Sequence, residues 1–536
     1  MRTAALALLA LACGAAGGEV RFHSLAVGNA AANGIFAADL DGDGTRDLVA
    51  LGSRYITVLR GRRGDGAPYA QEPEVIDTKP QMDRATGRPL WPPAYFVDVA
   101  DVLPLDEQTG EGQGLELLVL TPVGVWCFVQ RQGAYQARPR ELLPCDTLLT
   151  AGPARGVVSL AALRSDLDLL PWNFAFDVDG DGLDDLVVAH GGGTDVARQR
   201  PAAGGGVSGE FHPPQTLELL PVLGHAAASE GKADGLTAPR SLQARTAFAV
   251  PRLERVDVDE DGRADLATDY LWFRHKPEGG FETSPRSRRR SRPTGGTVVD
   301  VDGDGRQDYI RAVTTMEDLF NFITRVRVHL ANEDGTLPRV PTDTVVSQNV
   351  LIYQDLPIHD FDGDGSVDFA MFKTDITVTE IAKWFRQNLG RIEGSLNFFL
   401  FDRAERRYPR GASFSMPIEL SFKLDLTESM RGAIWEPRYL GTMVRFEGDY
   451  NADGRPDLFI RQETNAIALY FNTGGERLYA RRPDVLLREV PMFGDLTLDD
   501  LNGDGATDLI LLAGSAGFAP VGNPDRVVAV YISQLE

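Results

Sequence analysis

Apolar residues in this chain come in short runs, among them Leu48-Val49, Leu186-Val187-Val188, Tyr309-Ile310, Phe369-Ala370-Met371, Leu458-Phe459-Ile460 and Leu509-Ile510-Leu511. The runs are β-branched or aromatic in character and are bounded by clusters of Asp, Gly and Asn, which predicts strands joined by tight turns. The pattern is all-β almost throughout. One stretch differs: in Thr377 to Leu389 the pair Thr377 and Glu380 forms a capping box, and Ile381, Trp384, Phe385 and Leu389 share one helical face before Gly390. A short helical insertion at about 377–390 is predicted there, packed on a face or rim of the strands.

The segment before each of these strands repeats one pattern, DxDGDGxxD. Seven copies begin at Asp39, Asp177, Asp257, Asp300, Asp360, Asp449 and Asp500, with Gly always at position 6. Oxygen ligands at positions 1, 3, 5 and 9, with a backbone carbonyl at position 7, can close around one hard cation, and oxygen-only ligation of this kind suits calcium. The candidate ligands are Asp39, Asp41, Asp43, Thr45 and Asp47; Asp177, Asp179, Asp181, Leu183 and Asp185; Asp257, Asp259, Asp261, Arg263 and Asp265; Asp300, Asp302, Asp304, Arg306 and Asp308; Asp360, Asp362, Asp364, Ser366 and Asp368; Asp449, Asn451, Asp453, Arg455 and Asp457; and Asp500, Asn502, Asp504, Ala506 and Asp508. About seven Ca2+ sites follow. An EF-hand would place Glu at position 12, where this chain has Ala50, Val188, Thr268, Arg311, Met371, Ile460 and Leu511. Glu260 and Ala452 replace the Gly at position 4 of two copies. The stretch Asp98 to Glu116 occupies the place of an eighth copy, keeping Asp98, Asp101 and Glu116 but replacing the glycine turn with Leu105 to Gly114.

The loops explain most of the charge. Formal net charge is −23, and the ligand side chains alone carry 26 carboxylates. Without cations the loops repel one another, and so acidic a chain argues against a nucleic-acid partner. Against this background Arg286 to Arg292 holds five arginines between Pro285 and Pro293. It reads either as a solvated loop or as a grip for a polyanion.

Residues 1–18 read as an export signal, with Arg2, the apolar run Ala4 to Ala12 and small residues Gly14 to Gly18. Leu9 to Gly14 also resembles a bacterial lipobox, which would make Cys13 a lipid anchor; the alternatives are an outer-membrane lipoprotein and a secreted or periplasmic protein. No other run reaches the roughly 18 apolar residues of a transmembrane span. Cys127 and Cys145 flank a turn around Gly133 and are either a disulfide or two reduced thiols.

Copies start 43 to 89 residues apart, room for about four short strands each, which is one blade of a β-propeller. The loops and the strands after them resemble FG-GAP/VCBS repeats, the calcium-binding type of the integrin α-subunit head propeller and of many bacterial exported proteins. The resemblance covers residues 19–536 and implies one propeller domain of four-stranded blades, eight of them, or seven if Asp98 to Glu116 is an insertion. The last copy lacks a fourth strand before Glu536, and Val20 to Val27 has no blade of its own, so the N-terminal strand is expected to complete the last blade.

Motifs for nucleophilic, zinc or P-loop chemistry are absent, and the seven histidines, at 23, 190, 212, 225, 275, 329 and 359, are scattered singly. The leading expectation is a non-catalytic, exported calcium-binding propeller that binds protein or glycan in an adhesion role at the cell envelope. The alternative is a carbohydrate-active enzyme, since similar propellers occur among polysaccharide lyases.

Overall fold

The computed structural model describes residues 20–535 except 28–33, 53–54, 63–68, 71, 84, 87–88, 106–111, 113, 149–168, 221, 224–247, 250–252, 260, 269–270, 288–296, 319–320, 334–335, 352–355, 375–378, 380–382, 384–385, 387–388, 424–443, 464, 476, 491–492 and 514–527. The chain is all-β. Each DxDGDGxxD copy is the hairpin loop between the first two strands of an antiparallel sheet, because the residue before position 1 pairs with position 9: Ala38 with Asp47, Phe176 with Asp185, His359 with Asp368, Asp499 with Asp508. The third strand pairs with the second, and the fourth with the third, as in Gly34–Ala38, Asp47–Leu51, Tyr55–Leu59 and Glu74–Asp77 of the first sheet.

The same plan recurs in sequence order, and we number the sheets by it. The second sheet is built on Phe96–Ala100 and Glu116–Thr121, the third on Asp185–His190, the fourth on Asp265–Ala267, the fifth on Asp308–Asp318, the sixth on Asp368–Thr374, the seventh on Asp457–Glu463 and the eighth on Asp508–Ala513. The stretch Asp98 to Glu116 is thus a sheet in its own right, with Ala100 opposite Glu116. In the eighth sheet the outer strand is Val20–Val27, paired antiparallel with Val528–Leu535 from Val20 opposite Leu535 to Val27 opposite Val528. Phe22 is 6% exposed and packs with Tyr450, Phe459 and Leu509, so this strand is held by core as well as by ladder.

Apolar clusters lie between consecutive sheets. Leu40, Val58, Leu117 and Phe128 join the first and second; Leu118, Trp172 and Leu186 the second and third; Val178, Leu266 and Phe273 the third and fourth. Further clusters join the fifth to the sixth, the sixth to the seventh and the seventh to the eighth, and Leu48, Leu501, Ile510 and Val530 join the eighth back to the first. The sheets therefore form a continuous stack running from the fourth, through the first and eighth, to the fifth.

One expectation changes, and one open alternative is decided. Thr379, Lys383 and Arg386 are helical and exposed, with the other residues of 375–388 outside the described residues, but Leu389 and Gly390 are not helix end and stop. They begin the strand Leu389–Phe399, opposite Lys423 and Phe422. Cys127 and Cys145 are both free thiols, each pushed up to about 12 by burial. The register explains this: Cys127 faces Arg140, whereas the Cys145 N–H bonds to Val123 at the far end of the strand, beyond the short Cβ separation a disulfide requires. No described helix is long and apolar enough to cross a membrane.

Candidate metal centres

All seven loops share one set of hydrogen bonds. The position 6 N–H donates to position 1 Oδ2 at 2.7–3.2 Å in every copy, from Gly44 to Asp39 through to Gly505 to Asp500. The position 7 N–H donates to position 5 Oδ1 at 2.7–3.1 Å. Gly at position 6 has φ between +80° and +86°, the left-handed region that glycine enters without a Cβ penalty. Position 4 is also left-handed in the six copies where it is described, and at Ala452 an ordinary side chain adopts it, at φ +56°.

Position 9 does something the ligand pattern alone does not reveal. Its Oδ2 accepts the N–H of position 2, from Leu40, Val178, Val258, Val301, Phe361, Tyr450 and Leu501, at 2.7–3.2 Å. Its Oδ1 accepts an N–H just past the third strand, from Gly61, Gln199, His275, Ala331, Phe401 and Asn472, or within it at Ser533, at 2.6–2.8 Å. Each position 9 carboxylate thus staples the loop to its sheet, and none is more than 1% exposed. Burial pushes Asp185, Asp368, Asp457 and Asp508 up to about 7 and raises Asp47 and Asp308. Position 2 is the second feature missed: its side chain is apolar in every copy and fully buried at Leu40, Val178, Val301, Phe361 and Tyr450. An apolar residue between two aspartates was its signal.

The carboxylates gather as the spacing requires. Single oxygens of Asp39, Asp41 and Asp43 lie within 4.8 Å of one another, as do those of Asp177, Asp179 and Asp185; of Asp257, Asp259 and Asp265; of Asp300, Asp302 and Asp304; and of Asp360, Asp362 and Asp368. Two oxygens on one calcium at about 2.4 Å can be no more than about 5 Å apart, so these clusters fit such an ion. Asp39 Oδ1, Asp179 Oδ1 and Asp302 Oδ1 are also buried without a hydrogen-bond partner, as an oxygen reserved for a cation would be. In the seventh and eighth loops Asn451 and Asn502 stand at position 3 and receive the same turn, donating to Asp453 and Asp504.

The second sheet keeps the staple, and its described residues form no acidic cluster. Glu116 Oε2 accepts the Val102 N–H at 3.1 Å, and burial pushes this fully buried carboxyl up to about 7. Asp98 lies in the strand instead, where its Oδ2 accepts the N–H groups of Phe174 and Ala175, and Asp101 donates its own N–H to Asp184.

Neighbouring loops touch. The position 8 N–H of Arg46 donates to Leu501 C=O, that of Val367 to Val301 C=O and that of Thr507 to Asp449 C=O, while the side-chain amides of Gln130, Gln199 and Asn472 donate to Leu40, Asp101 and Phe361 carbonyls. The loops therefore line one end of the stack.

Residues 449–511, from the seventh loop into the strand after the eighth, match the family model described as FG-GAP-like repeat. The chain carries the FG-GAP-like repeat. No curated protein matches the chain. Among solved structures it is similar to the V. cholerae biofilm matrix protein Bap1 (12% identity, 93% of this chain and 76% of that chain, TM-score 0.25) and the exotype rhamnogalacturonan lyase YesX (11%, 98% and 76%, TM-score 0.31). It is also similar to TcdB2-TccC3, of which it covers 24%, at 15% identity and a TM-score of 0.22. All three superpositions are loose, and nothing about those proteins is carried over.

Elsewhere the described residues offer little catalytic chemistry. His190 has both ring nitrogens engaged, Nε2 with Asp195 at 3.2 Å and Nδ1 with the Gly192 N–H at 3.1 Å. In the basic stretch, Arg286 is held by Glu282 and lies 5.2 Å over the Trp272 ring; residues 288–292 are outside the described residues.

Proposed function

We propose that this is an exported calcium-binding β-propeller of eight blades, acting as a protein- or glycan-binding scaffold at the cell envelope. The observation that carries the reading is the identical hydrogen bonding of seven acidic loops along one end of eight packed sheets, within a chain carrying the FG-GAP-like repeat. When bound, calcium would supply the positive charge that lets the carboxylates of a loop approach one another. The chain's own residues do the rest: glycine turns the loop, position 9 fixes it to the sheet, and contacts between loops pass the order on. Closure into a full ring would bring the fourth sheet against the fifth. Cys13 as a lipid anchor and Arg286 to Arg292 as a polyanion grip belong to the same proposal.

A second reading, a carbohydrate-active enzyme, draws on one cleft of about 370 Å3 lined by Glu393, Glu419, Tyr470 and Arg481. Arg391 pairs with both carboxylates, Glu419 at 2.5 Å and Glu393 at 3.4 Å, and the scaffold reading stays ahead. Screening the calcium-loaded protein against glycans and envelope proteins, with product analysis of any glycan bound, tests both. Reversible, calcium-dependent binding without turnover is expected; cleavage of a bound polysaccharide, lost in Tyr470→Phe, would overturn the scaffold reading.

A further inference from the structure

We propose that the loop of the fourth sheet, Asp257 to Asp265, is closed by two guanidinium groups in place of the cation that the other loops take. The inference rests on the calcium reading above. Asp261, at position 5, has both oxygens occupied: Oδ1 by the Arg263 N–H at 3.1 Å, and Oδ2 by Arg263 Nη2 at 2.5 Å and Arg274 Nη2 at 3.0 Å. Arg274 also brings Nε to 2.7 Å from Asp259 Oδ2, an ion pair that ties position 3 to position 5. Two fixed guanidiniums carry the same total charge as one calcium ion. A cation entering here would have to displace these charge-assisted contacts.

Three comparisons separate this loop from the third and fifth. Arginines reach other loops too: Arg198 contacts Asp179 at 3.1 Å and Arg255 contacts Asp177 at 2.5 Å in the third, and Arg306 and Arg406 contact Asp304 and Asp302 in the fifth. Those loops each retain a buried carboxylate oxygen without a partner, Asp179 Oδ1 and Asp302 Oδ1; the described residues of the fourth loop retain none. The gripping arginines of the fourth loop both come from its own sheet, Arg263 at position 7 and Arg274 directly after Leu271–Phe273, so they are present whenever the sheet is folded. Finally, Asp257 and Asp259 are exposed, whereas the first two acids of the other four clusters are partly buried. Water can solvate their charge, and a cation is needed less.

Native mass spectrometry and calorimetric calcium titration of the whole chain test this. The wild type is expected to bind fewer ions than it has loops. Asp261→Asn should leave the number of bound ions unchanged, while Asp364→Asn, the same position 5 substitution in the sixth loop, should lower it by one. The double variant Arg263→Gln/Arg274→Gln should raise it by one; near-ultraviolet circular dichroism confirms that each variant is folded. As many ions as loops in the wild type, or a loss of one ion in folded Asp261→Asn, would overturn the inference while leaving the calcium reading intact. No calcium bound by the wild type at all would overturn the calcium reading first.

Discussion

The loops of the fourth and sixth sheets have the same backbone turn and opposite electrostatics. Both have glycine at position 6 with φ near +83°, at Gly262 and Gly365, and both are stapled by a buried position 9 carboxylate, Asp265 and Asp368. In the sixth loop no guanidinium contacts an acid among the described residues; Arg403 instead donates to the carbonyls of Asp364 and Asp302, bridging two neighbouring loops. Burial, and then the adjacent Asp364, raises Asp362. In the fourth loop burial pulls Asp261 the same way, yet the bonds from Arg274 and Arg263 hold it below the ordinary carboxylate value. The turn is thus encoded inside the nine-residue motif, whereas the electrostatics of the loop are set by side chains around it.

The largest test of that difference is removal of calcium. A site with Kd of about 0.1 mM in about 1 mM calcium adds roughly 1.4 kcal/mol to stability, so several filled loops together approach the whole stability of an ordinary domain. A chelator should lower Tm by well over ten degrees, roughly, for a chain whose ions are all lost. With calcium present, Asp364→Ala should lose part of that increment, whereas the cost of Asp261→Ala relative to the wild type should be the same with and without chelator. A melting curve indifferent to chelator would remove the distinction between the two loops altogether.

Next in size is the staple, which should cost the same in both loops. Asp368→Ala and Asp265→Ala each leave two backbone N–H groups without their acceptor, those of Phe361 and Phe401 or of Val258 and His275. At about 1–3 kcal/mol for each unsatisfied buried donor, roughly 2–6 kcal/mol is expected. Urea denaturation in chelator should give similar losses for the two variants. A loss confined to Asp368→Ala would mean that position 9 acts only through the ion.

The second sheet supplies the limiting case, a staple with no acidic cluster among the described residues, and sharpens the comparison through pH. Glu116 is raised by burial to about 7, above its unfolded value, so the folded state binds its proton more tightly than the unfolded state does. Its contribution is fully present below about pH 4 and is lost as pH rises to about 7. Glu116→Gln keeps an acceptor for the Val102 N–H without the charge. Its stability relative to the wild type should therefore increase between about pH 4 and 7 and level off above, measured by denaturation at fixed calcium. A pH-independent difference would show that Glu116 is charged in the folded protein.

Much of this was legible in the chain because the motif is both local and repeated. Positions 1, 3, 5 and 6 fix their own turn through contacts no more than five residues apart, and the strands after them announce themselves by β-branched and aromatic runs. The N-terminal strand was legible by counting, since Val20 to Val27 had no other partner. Arg274 and Arg406 were not, because one sits thirteen residues beyond the acid it grips and the other on a neighbouring sheet, 104 residues from Asp302. The helix end was misplaced at Leu389 because a two-strand ladder with Phe414–Lys423 outweighs a helical period that ends in Leu-Gly. Cys127 and Cys145 could not be assigned from spacing, since one irregularity in register between Glu141 and Leu143 helps decide what faces what.

The smallest test asks whether the turn itself is strained where its glycine is missing. Position 4 is left-handed in the described loops, at φ +77° for Gly363 in the sixth and +56° for Ala452 in the seventh. An L side chain pays roughly 1 kcal/mol for that region, partly offset by the smaller entropy an alanine loses on folding. A Cβ added at Gly363 meets nothing within 4 Å, so Gly363→Ala isolates the backbone effect from crowding. It should destabilise by about 0.5–1 kcal/mol, and Ala452→Gly should stabilise by about the same amount. Because the conformation is set by the shared hydrogen bonds and not by the ion, both shifts should persist in chelator. If the Ala452→Gly gain appeared only with calcium bound, the seventh loop would adopt its turn through the ion, and the separation of turn from ion would fail there.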